Sequence, residues 1–231
     1  KRQKVYDAIL GLKPEEKDAY FLRGSAELEL GDYESAKADF DQAISMDPKN
    51  YDRLIEIYEA LAAHGYREVG QEYLQNVLDT AKQLDAYDSG RIYYYLGEYQ
   101  KAYLALDEAR DKGGADSYLY LGRAYAATGD YNYASSVYNN YLSKQGPNAE
   151  IYNELGLCEM AKKEYQNALA AFQAGKQIEG NSLMQTLCFN EIVAYEYLED
   201  YQQAEILMNA YLQNYPDDQT AIREQQFLST R

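Results

Sequence analysis

The chain has 231 residues, with 38 acidic and 22 basic side chains and a formal net charge of −16. This negative charge opposes binding to nucleic acid or to an anionic membrane surface, and no basic patch interrupts it. No apolar run reaches the length of about 18 residues that a membrane-spanning helix needs, so we expect no membrane span.

Residues 1–14 contain an apolar pattern that recurs 34 residues later, where it belongs to the second helix of a helix pair. We therefore interpret this segment either as a partial repeat whose first helix is missing, or as an N-terminal capping helix. Because the chain also begins with Lys1 rather than Met, the first interpretation predicts that it is a piece of a longer protein.

Residues 17–50 predict two amphipathic helices joined by a tight turn. Apolar and small residues recur at helical spacing up to Leu30, and Gly31 is expected to end the first helix. Asp32 is predicted to cap a second helix over residues 33–46. Pro48 then stops that helix, because it has no backbone donor and restricts the residue before it.

Two positions mark this helix pair, and each holds a small residue in the first repeat. Both positions recur along the chain. The marker of the first helix recurs as Gly24, Tyr58, Gly90, Gly122, Gly156 and Ile192, and that of the second as Ala36, Gly70, Ala102, Ala134, Ala168 and Ala204. Both series step by 34, 32, 32, 34 and 36 residues, which indicates stacked repeats. The predicted repeats are 17–50, 51–82, 83–114, 115–148, 149–184 and 185–218. Residues 219–231 are predicted to form a C-terminal capping helix, and the second and sixth repeats lack the glycine.

The fourth repeat matches most of the motif of a known family. Its motif residues are Tyr118, Leu121, Gly122, Tyr125, Ala134 and Tyr138. Nearly the whole chain resembles the tetratricopeptide repeat family. The resemblance implies an all-α fold, a right-handed α-solenoid of stacked antiparallel helix pairs. It also implies that the first helices line a concave groove in which peptides or helices of partner proteins lie.

Little in the sequence indicates chemistry. The chain has no Gly-rich phosphate loop and no zinc-protease or serine-hydrolase motif, and His64 is its only histidine. We expect His64 to face water or a carbonyl of the last helical turn. Cys158 and Cys188 are expected to be small apolar residues on neighbouring first helices. We predict no catalytic residues, no metal site, no cofactor and no enzymatic activity.

Helical spacing places a candidate partner-binding set on the inner side of the first helices. It comprises Tyr87, Arg91, Tyr94, Tyr120, Arg123, Asn153 and Asn190, with Tyr95, Leu119 and Phe189 as alternatives to their neighbours. The arginines occupy the same place in adjacent repeats and are assigned no packing role. Arginines beside aromatic rings suit a carboxylate or an acidic segment.

The first two repeats differ from this arrangement. Asp52, Glu56 and Glu59 form an acidic stripe in the second repeat, so the groove is expected to be acidic near the N-terminus. One variant of the resembling family holds a C-terminal carboxylate with Lys, Asn and Arg. Phe21, Ser25 and Glu56 stand near those places here, so we do not predict that activity.

We therefore expect a protein-interaction scaffold whose groove binds a peptide segment or a partner protein. One alternative is a self-assembling structural repeat region, although the sequence does not indicate a homo-oligomer. Another is an accessory region of a larger sensor or cell-envelope protein. The surface is rich in Tyr, Asn and Gln, with 27 tyrosines in the chain, and this favours a bacterial extracytoplasmic location over the cytoplasm.

Overall fold

The computed structural model describes residues 2–230, and these form fourteen α-helices and no β-strand. The helices are α1 (Arg2–Leu12), α2 (Lys17–Glu29), α3 (Tyr33–Met46), α4 (Tyr51–Ala63), α5 (Arg67–Thr80), α6 (Ala86–Tyr95), α7 (Tyr99–Asp111), α8 (Ser117–Ala127), α9 (Tyr131–Gln145), α10 (Ala149–Ala161), α11 (Tyr165–Lys176), α12 (Met184–Tyr197), α13 (Tyr201–Asn214) and α14 (Gln219–Leu228). We call α2, α4, α6, α8, α10 and α12 the first helices, and the helix that follows each of them a second helix.

The helices fall into two compact units, of which one ends at Glu98 and the other begins at Tyr99. In the unit formed by α1–α6, each helix packs on the next one, and the first helices α2 and α4 also touch. In the unit formed by α7–α14, each helix again packs on the next, and α8 touches α10. Short turns make consecutive helices antiparallel. The predicted all-α fold of stacked helix pairs is confirmed.

A close contact between glycine and an aromatic ring joins three of the helix pairs. A Cβ atom added at Gly156 of α10 would lie 2.3 Å from the ring of Phe172 in α11. One added at Gly122 of α8 would lie 2.3 Å from the ring of Tyr138 in α9. Gly24 has the same relation to Phe40, at 2.8 Å. The first-helix marker is therefore glycine because the ring of the second helix occupies the space of a side chain.

The second repeat keeps this contact with the sizes exchanged. Tyr58 of α4 is buried at the first-helix marker, and the second-helix marker on α5 is Gly70. A Cβ atom at Gly70 would lie 2.9 Å from the ring of Tyr58. Four residues further along α5, the buried residue is Leu74 in place of an aromatic. This repeat, which lacks the glycine, has thus exchanged a large and a small residue across one contact.

The turn between the helices of a pair places one residue in the left-handed backbone region. Gly31, Gly97 and Gly129 have φ of 78°, 78° and 84°, a region that glycine adopts without a steric cost. In the fifth and sixth repeats the same place holds Lys163 and Glu199, with φ of 64° and 60°. A side chain in this region costs roughly 1–2 kcal/mol, so these two turns are strained.

The glycine contact leads to a first prediction, for Gly156→Ala. The added methyl group overlaps the ring of Phe172, and overpacking of this kind costs about 1–3 kcal/mol. Alanine is favoured over glycine in a helix by about 1 kcal/mol, which offsets part of that cost. We expect a net loss in the free energy of unfolding, measured by urea titration of the helical circular dichroism signal.

Gly11→Ala is the matched control for this prediction. Gly11 lies in α1, and an added Cβ atom there has no neighbour within 4 Å. Only the gain in helix propensity remains, so stability should stay equal or rise by up to about 1 kcal/mol. If Gly156→Ala were as well tolerated as Gly11→Ala, the contact with Phe172 would not limit the side chain at this marker.

The strained turns lead to a second prediction. Lys163→Gly should raise the free energy of unfolding by about 0.5–1 kcal/mol, because glycine relieves the left-handed strain but adds entropy to the unfolded chain. Gly129→Ala, the converse change at the equivalent place in the fourth repeat, should lower it by at least as much. Thermal and urea unfolding measure both variants, and a destabilised Lys163→Gly would refute the assignment of strain.

Candidate partner-binding face of the first helices

The structure places every residue of the candidate set on a first helix. Tyr87, Arg91 and Tyr94 lie on α6, Tyr120 and Arg123 on α8, Asn153 on α10 and Asn190 on α12. The first three belong to the unit that ends at Glu98, and the other four to the unit that begins at Tyr99. We call these side chains, with the polar groups that they contact, the first-helix face of each unit.

Arg91 lies in a cluster that links α6 to α4. Its guanidinium donates to Asp52 of α4 at 2.5 Å and to Asp88 of its own helix at 2.5 Å, and its Cζ lies 4.4 Å from the ring centroid of Tyr87. The residue is only 7% exposed. Burial by itself lowers the pKa of Arg91, but the bonds to the two carboxylates raise it above its ordinary value, so the residue is charged.

The two tyrosines that the sequence left as alternatives on α6 pack against each other. The rings of Tyr94 and Tyr95 meet edge to face, with their centroids 5.2 Å apart. The hydroxyl of Tyr95 donates to Glu59 of α4 at 2.6 Å. Tyr95 therefore joins neighbouring first helices, and Tyr94 is half-buried beside it.

The acidic stripe on α4 is made of carboxylates that have partners within the chain. Asp52 accepts from Arg91, Glu59 accepts from Tyr95, and Glu56 pairs with Arg53 at 2.9 Å. Sequence reasoning read these residues as a separate acidic region of the groove. The structure adds that Asp52 and Glu59 each accept a hydrogen bond from the next first helix, while the side chain of Asp52 stays 78% exposed.

Arg123 forms the corresponding cluster in the other unit. Its Nε and Nη2 atoms donate to Oε1 of Glu154 at 2.9 and 2.7 Å, and Nη2 also donates to Glu150 at 2.9 Å. Both carboxylates belong to α10, the first helix of the next repeat, and the ring centroid of Tyr120 lies 5.6 Å from the guanidinium. Burial lowers the pKa of Arg123, and the attraction of Glu154 and Glu150 raises it above its usual range.

The two asparagines of the set also meet. The side-chain amide of Asn190 on α12 donates to the side-chain oxygen of Asn153 on α10 at 2.9 Å. Asn153 is buried and Asn190 is half-buried. Arginine clusters and this amide pair thus make the same type of connection, from one first helix to the first helix of an adjacent repeat.

Two contacts in the first unit extend this pattern and were missed by sequence reasoning. Arg53 of α4 donates to Asp18 of α2 at 2.7 Å, and its guanidinium lies 4.1 Å from the ring centroid of Phe21. Asp18, Asp52 and Glu150 all lie in the first turn of a first helix, six residues before the marker. An acid at that place, with an arginine in an adjacent repeat, is the signal that would have revealed these pairs.

The expectation that Arg91 and Arg123 have no structural role was therefore wrong. Each guanidinium contacts two carboxylates, so each cluster carries a formal net negative charge. The Arg–Tyr pairing that the sequence suggested is present in both clusters. The carboxylates paired with the arginines make the face less attractive to an acidic ligand. The assignment of these residues to partner binding stays a prediction.

An open pocket of about 290 Å³ lies beside Asn190 in the second unit. The hydroxyl of Tyr211 donates to Asp218 at 2.6 Å, and the amide of Gln185 donates to Tyr211 at 3.1 Å. Burial, followed by the bond to Asp218, raises the pKa of Tyr211 to about 12. The pocket is lined by Gln185, Thr186, Phe189, Asn190, Tyr211, Asp218 and Thr220.

The remaining candidate groups for chemistry have ordinary surroundings. The Nδ1 atom of His64 donates to the carbonyl of Ala60 in the last turn of α4, at 2.8 Å. Cys158 is buried and Cys188 half-buried, and neither forms a disulfide. Within residues 2–230, no group of three or more His, Cys, Asp or Glu side chains is arranged to hold a metal ion. In the same part of the chain, no helix has the length and apolar character needed to cross a membrane.

Comparison with known proteins identifies the family. Models described as tetratricopeptide repeat match residues 17–50, 87–138 and 121–181, which together make up more than half of the chain. The chain belongs to the tetratricopeptide repeat family. Proteins of this family bind protein partners and are generally non-enzymatic scaffolds. No curated protein matches the sequence.

Solved structures share the fold at low sequence identity. A chain of the APC/C hetero-tetramer Cut9–Hcn1 is 18% identical with a TM-score of 0.58, and the match covers 99% of this chain but only 45% of that one. PilW, a widely conserved type IV pilus biogenesis factor, is 18% identical with a TM-score of 0.62, over 92% of this chain and 97% of its own. YrrB, a protein with an unusual peptide-binding site, is 16% identical with a TM-score of 0.53, over 96% and 97%.

The Arg123 cluster leads to a third prediction, tested by a double-mutant cycle with Arg123→Ala and Glu154→Ala. The two side chains are only 23% and 17% exposed, so solvent screens their attraction less than at the open surface. We expect a coupling energy of about 1–2 kcal/mol, more than a surface pair gives. Urea unfolding of the four proteins measures it.

Lys112 and Glu108 provide the matched control for this cycle. They form an ion pair at 2.5 Å at the C-terminal end of α7, where Lys112 directly follows the last helical residue, but their side chains are 70% and 57% exposed. Because exposed pairs contribute little, we expect their coupling energy to lie below about 0.5 kcal/mol. Equal coupling in the two cycles would mean that partial burial does not strengthen the Arg123 cluster.

Proposed function

We propose that the chain is a non-enzymatic scaffold whose first-helix face binds an extended segment of a partner protein. The observation that carries this proposal is the repeated placement of ordered hydrogen-bonding side chains on successive first helices. In the second unit these are the Arg123 cluster, the Asn153–Asn190 pair and the polar pocket beside Asn190. Their spacing follows the repeat.

These groups suit an extended peptide for physical reasons. An asparagine side chain carries both a donor and an acceptor, as each peptide unit of a bound backbone does. The intramolecular pairs also hold the side chains in place before binding, which reduces the entropy lost on association. YrrB, which shares this fold, is described as having an unusual peptide-binding site, and this likeness agrees with the proposal.

The charge of the face favours a neutral or basic segment over an acidic one. Each of the two candidate arginines contacts two carboxylates, and the Glu150 side chain beside Arg123 is 45% exposed. A lysine or arginine of the partner is attracted to such a cluster, whereas a carboxylate competes with two acids already bound there. The net charge of −16 acts in the same direction at longer range.

The fourth prediction concerns capture of partner proteins from a lysate of the source organism. Asn153→Ala combined with Asn190→Ala removes both members of the amide pair and leaves the Arg123 cluster intact. We expect at least one captured protein to be lost or reduced about tenfold, as for loss of contacts worth about 1.4 kcal/mol. Quantitative mass spectrometry of the bound fraction measures the change.

Asn139→Ala combined with Asn167→Ala is the matched control. These asparagines are exposed on the second helices α9 and α11 of the same unit. A partner held by the control but lost by the first variant supports binding at the first-helix face. If both variants captured every partner equally well, the binding site would not lie on the first-helix face. If light scattering gave a concentration-dependent oligomer and no partner were captured, the self-assembling alternative would replace the proposal.

A further inference from the structure

The sixth repeat differs from the first, fourth and fifth repeats at the position four residues before the first-helix marker. That position holds a large aromatic in the first, fourth and fifth repeats, namely Tyr20, Tyr118 and Tyr152, and Leu54 and Ala86 in the second and third. In the sixth repeat it holds Cys188 on α12. The first helix of this repeat therefore has a small side chain where a tyrosine ring stands in its two predecessors.

The fourth repeat shows what such a ring does. Tyr118 of α8 is 6% exposed and meets Tyr141 of α9 edge to face, with ring centroids 5.7 Å apart. Tyr141 lies seven residues after the second-helix marker Ala134, and the equivalent residue in the sixth repeat is Tyr211. The ring of Tyr211 is present on α13 and contacts the ring of Phe189 on α12, with centroids 5.8 Å apart. Phe189 does not line the pocket described next, and Cys188, which does, supplies no ring there.

A pocket of about 530 Å³ opens at this place, between α11, α12 and α13. Its apolar wall includes Cys188, Met184, Leu207, Tyr211 and Tyr215. The volume lies within the range of pockets that hold small ligands and exceeds what one aromatic side chain needs. Met184 at its edge is 37% exposed, which makes the apolar wall accessible to a partner.

The sixth repeat, which supplies most of the pocket wall, is strongly acidic as a whole. Lys176 lines the pocket but donates to Glu191, so its charge is compensated within the wall. Residues 185–218 contain no lysine or arginine. They contain seven acids, Glu191, Glu196, Glu199, Asp200, Glu205, Asp217 and Asp218. A segment that approaches this repeat is favoured if it is basic.

We propose that this pocket receives a tyrosine or phenylalanine side chain from a lysine- or arginine-rich segment of a partner protein. The incoming ring stands where the repeat's own tyrosine stands in the fourth and fifth repeats, and it packs against Tyr211. Basic residues on either side of it face the acidic repeat. No member of the candidate set on the first-helix face lines this pocket, which shares only Tyr211 with the polar pocket beside Asn190. The proposal therefore does not rest on the function proposed above.

The first test uses p-cresol, which is the tyrosine side chain without its backbone. Cys188 lies in the pocket wall, so its alkylation by iodoacetamide reports occupancy, and buried Cys158 serves as the internal reference. We expect saturating p-cresol to slow alkylation of Cys188 at least threefold without changing Cys158. An unchanged rate at Cys188 would overturn the proposal, because the pocket would then not hold the ring.

The second test uses three peptides, Ac-KKYKK-amide, Ac-KKAKK-amide and Ac-EEYEE-amide, titrated against the whole chain by NMR at moderate salt. We expect the first to bind at least tenfold more tightly than either of the others. If the alanine peptide binds equally well, charge alone acts and the pocket has no role. If the acidic peptide binds equally well, the basic nature of the occupant is refuted.

Variants then locate the binding site. Cys188→Tyr supplies the ring from the chain itself and should lower the affinity for Ac-KKYKK-amide at least tenfold. Ala210→Tyr fills the pocket from α13 and serves if Cys188→Tyr does not fold. Gln213→Tyr, on the exposed side of the same helix, is the control and should bind as the unchanged chain does.

Equal binding by the pocket variants and the control would overturn the proposal. A dimer that Cys188→Tyr abolishes would do so too, because a second copy would be the occupant.

Discussion

The structure depends on a close contact that four of the helix pairs share, where the backbone of one helix meets a large side chain of the other. Phe172 can lie against α10 only because Gly156 has no side chain, and Tyr138 has the same need at Gly122. Two helices packed this closely still leave one face of each pair uncovered, and the next repeat covers it. The short distance between the two helices of a pair therefore determines how the core is filled and how far apart the side chains of successive first helices lie.

A second set of interactions joins neighbouring repeats, and it consists of ion pairs and side-chain hydrogen bonds instead of apolar packing. Arg123 reaches from α8 to two carboxylates on α10, and Asn190 reaches from α12 to Asn153. Side chains held in this way are ordered by the fold itself, so the same groups that connect repeats are available as fixed donors and acceptors for a ligand. Under the proposed function, stability and recognition draw on one set of residues, and we expect a substitution at Arg123 to affect both.

Sequence reasoning recovered the helix pairs because each helix is determined by local periodicity and by its turn. The second helix of the first repeat begins at Tyr33 and ends at Met46, as the caps and Pro48 indicated. The partners of Arg91 could not be read in this way, because Asp52 is 39 residues distant and periodicity does not give the reach of a long side chain across a stack. The left-handed φ of Lys163 was also missed, since a side chain in that backbone region is unfavourable.

Departures from the repeat pattern are informative because a change in side-chain volume at one position of a packed core has to be compensated at another. In the second repeat the balance is local: Tyr58 replaces a glycine, and Gly70 on the facing helix makes room for its ring. In the sixth repeat both changes lie on one helix. Ile192 adds side-chain volume at the marker, whereas Cys188, one turn earlier, leaves open the space that a tyrosine fills in the fourth and fifth repeats. The first exchange keeps the core filled, whereas the second removes side-chain volume from the edge of the repeat. An opening formed in this way retains the apolar wall of a core position, and an aromatic side chain from outside the chain is complementary to it.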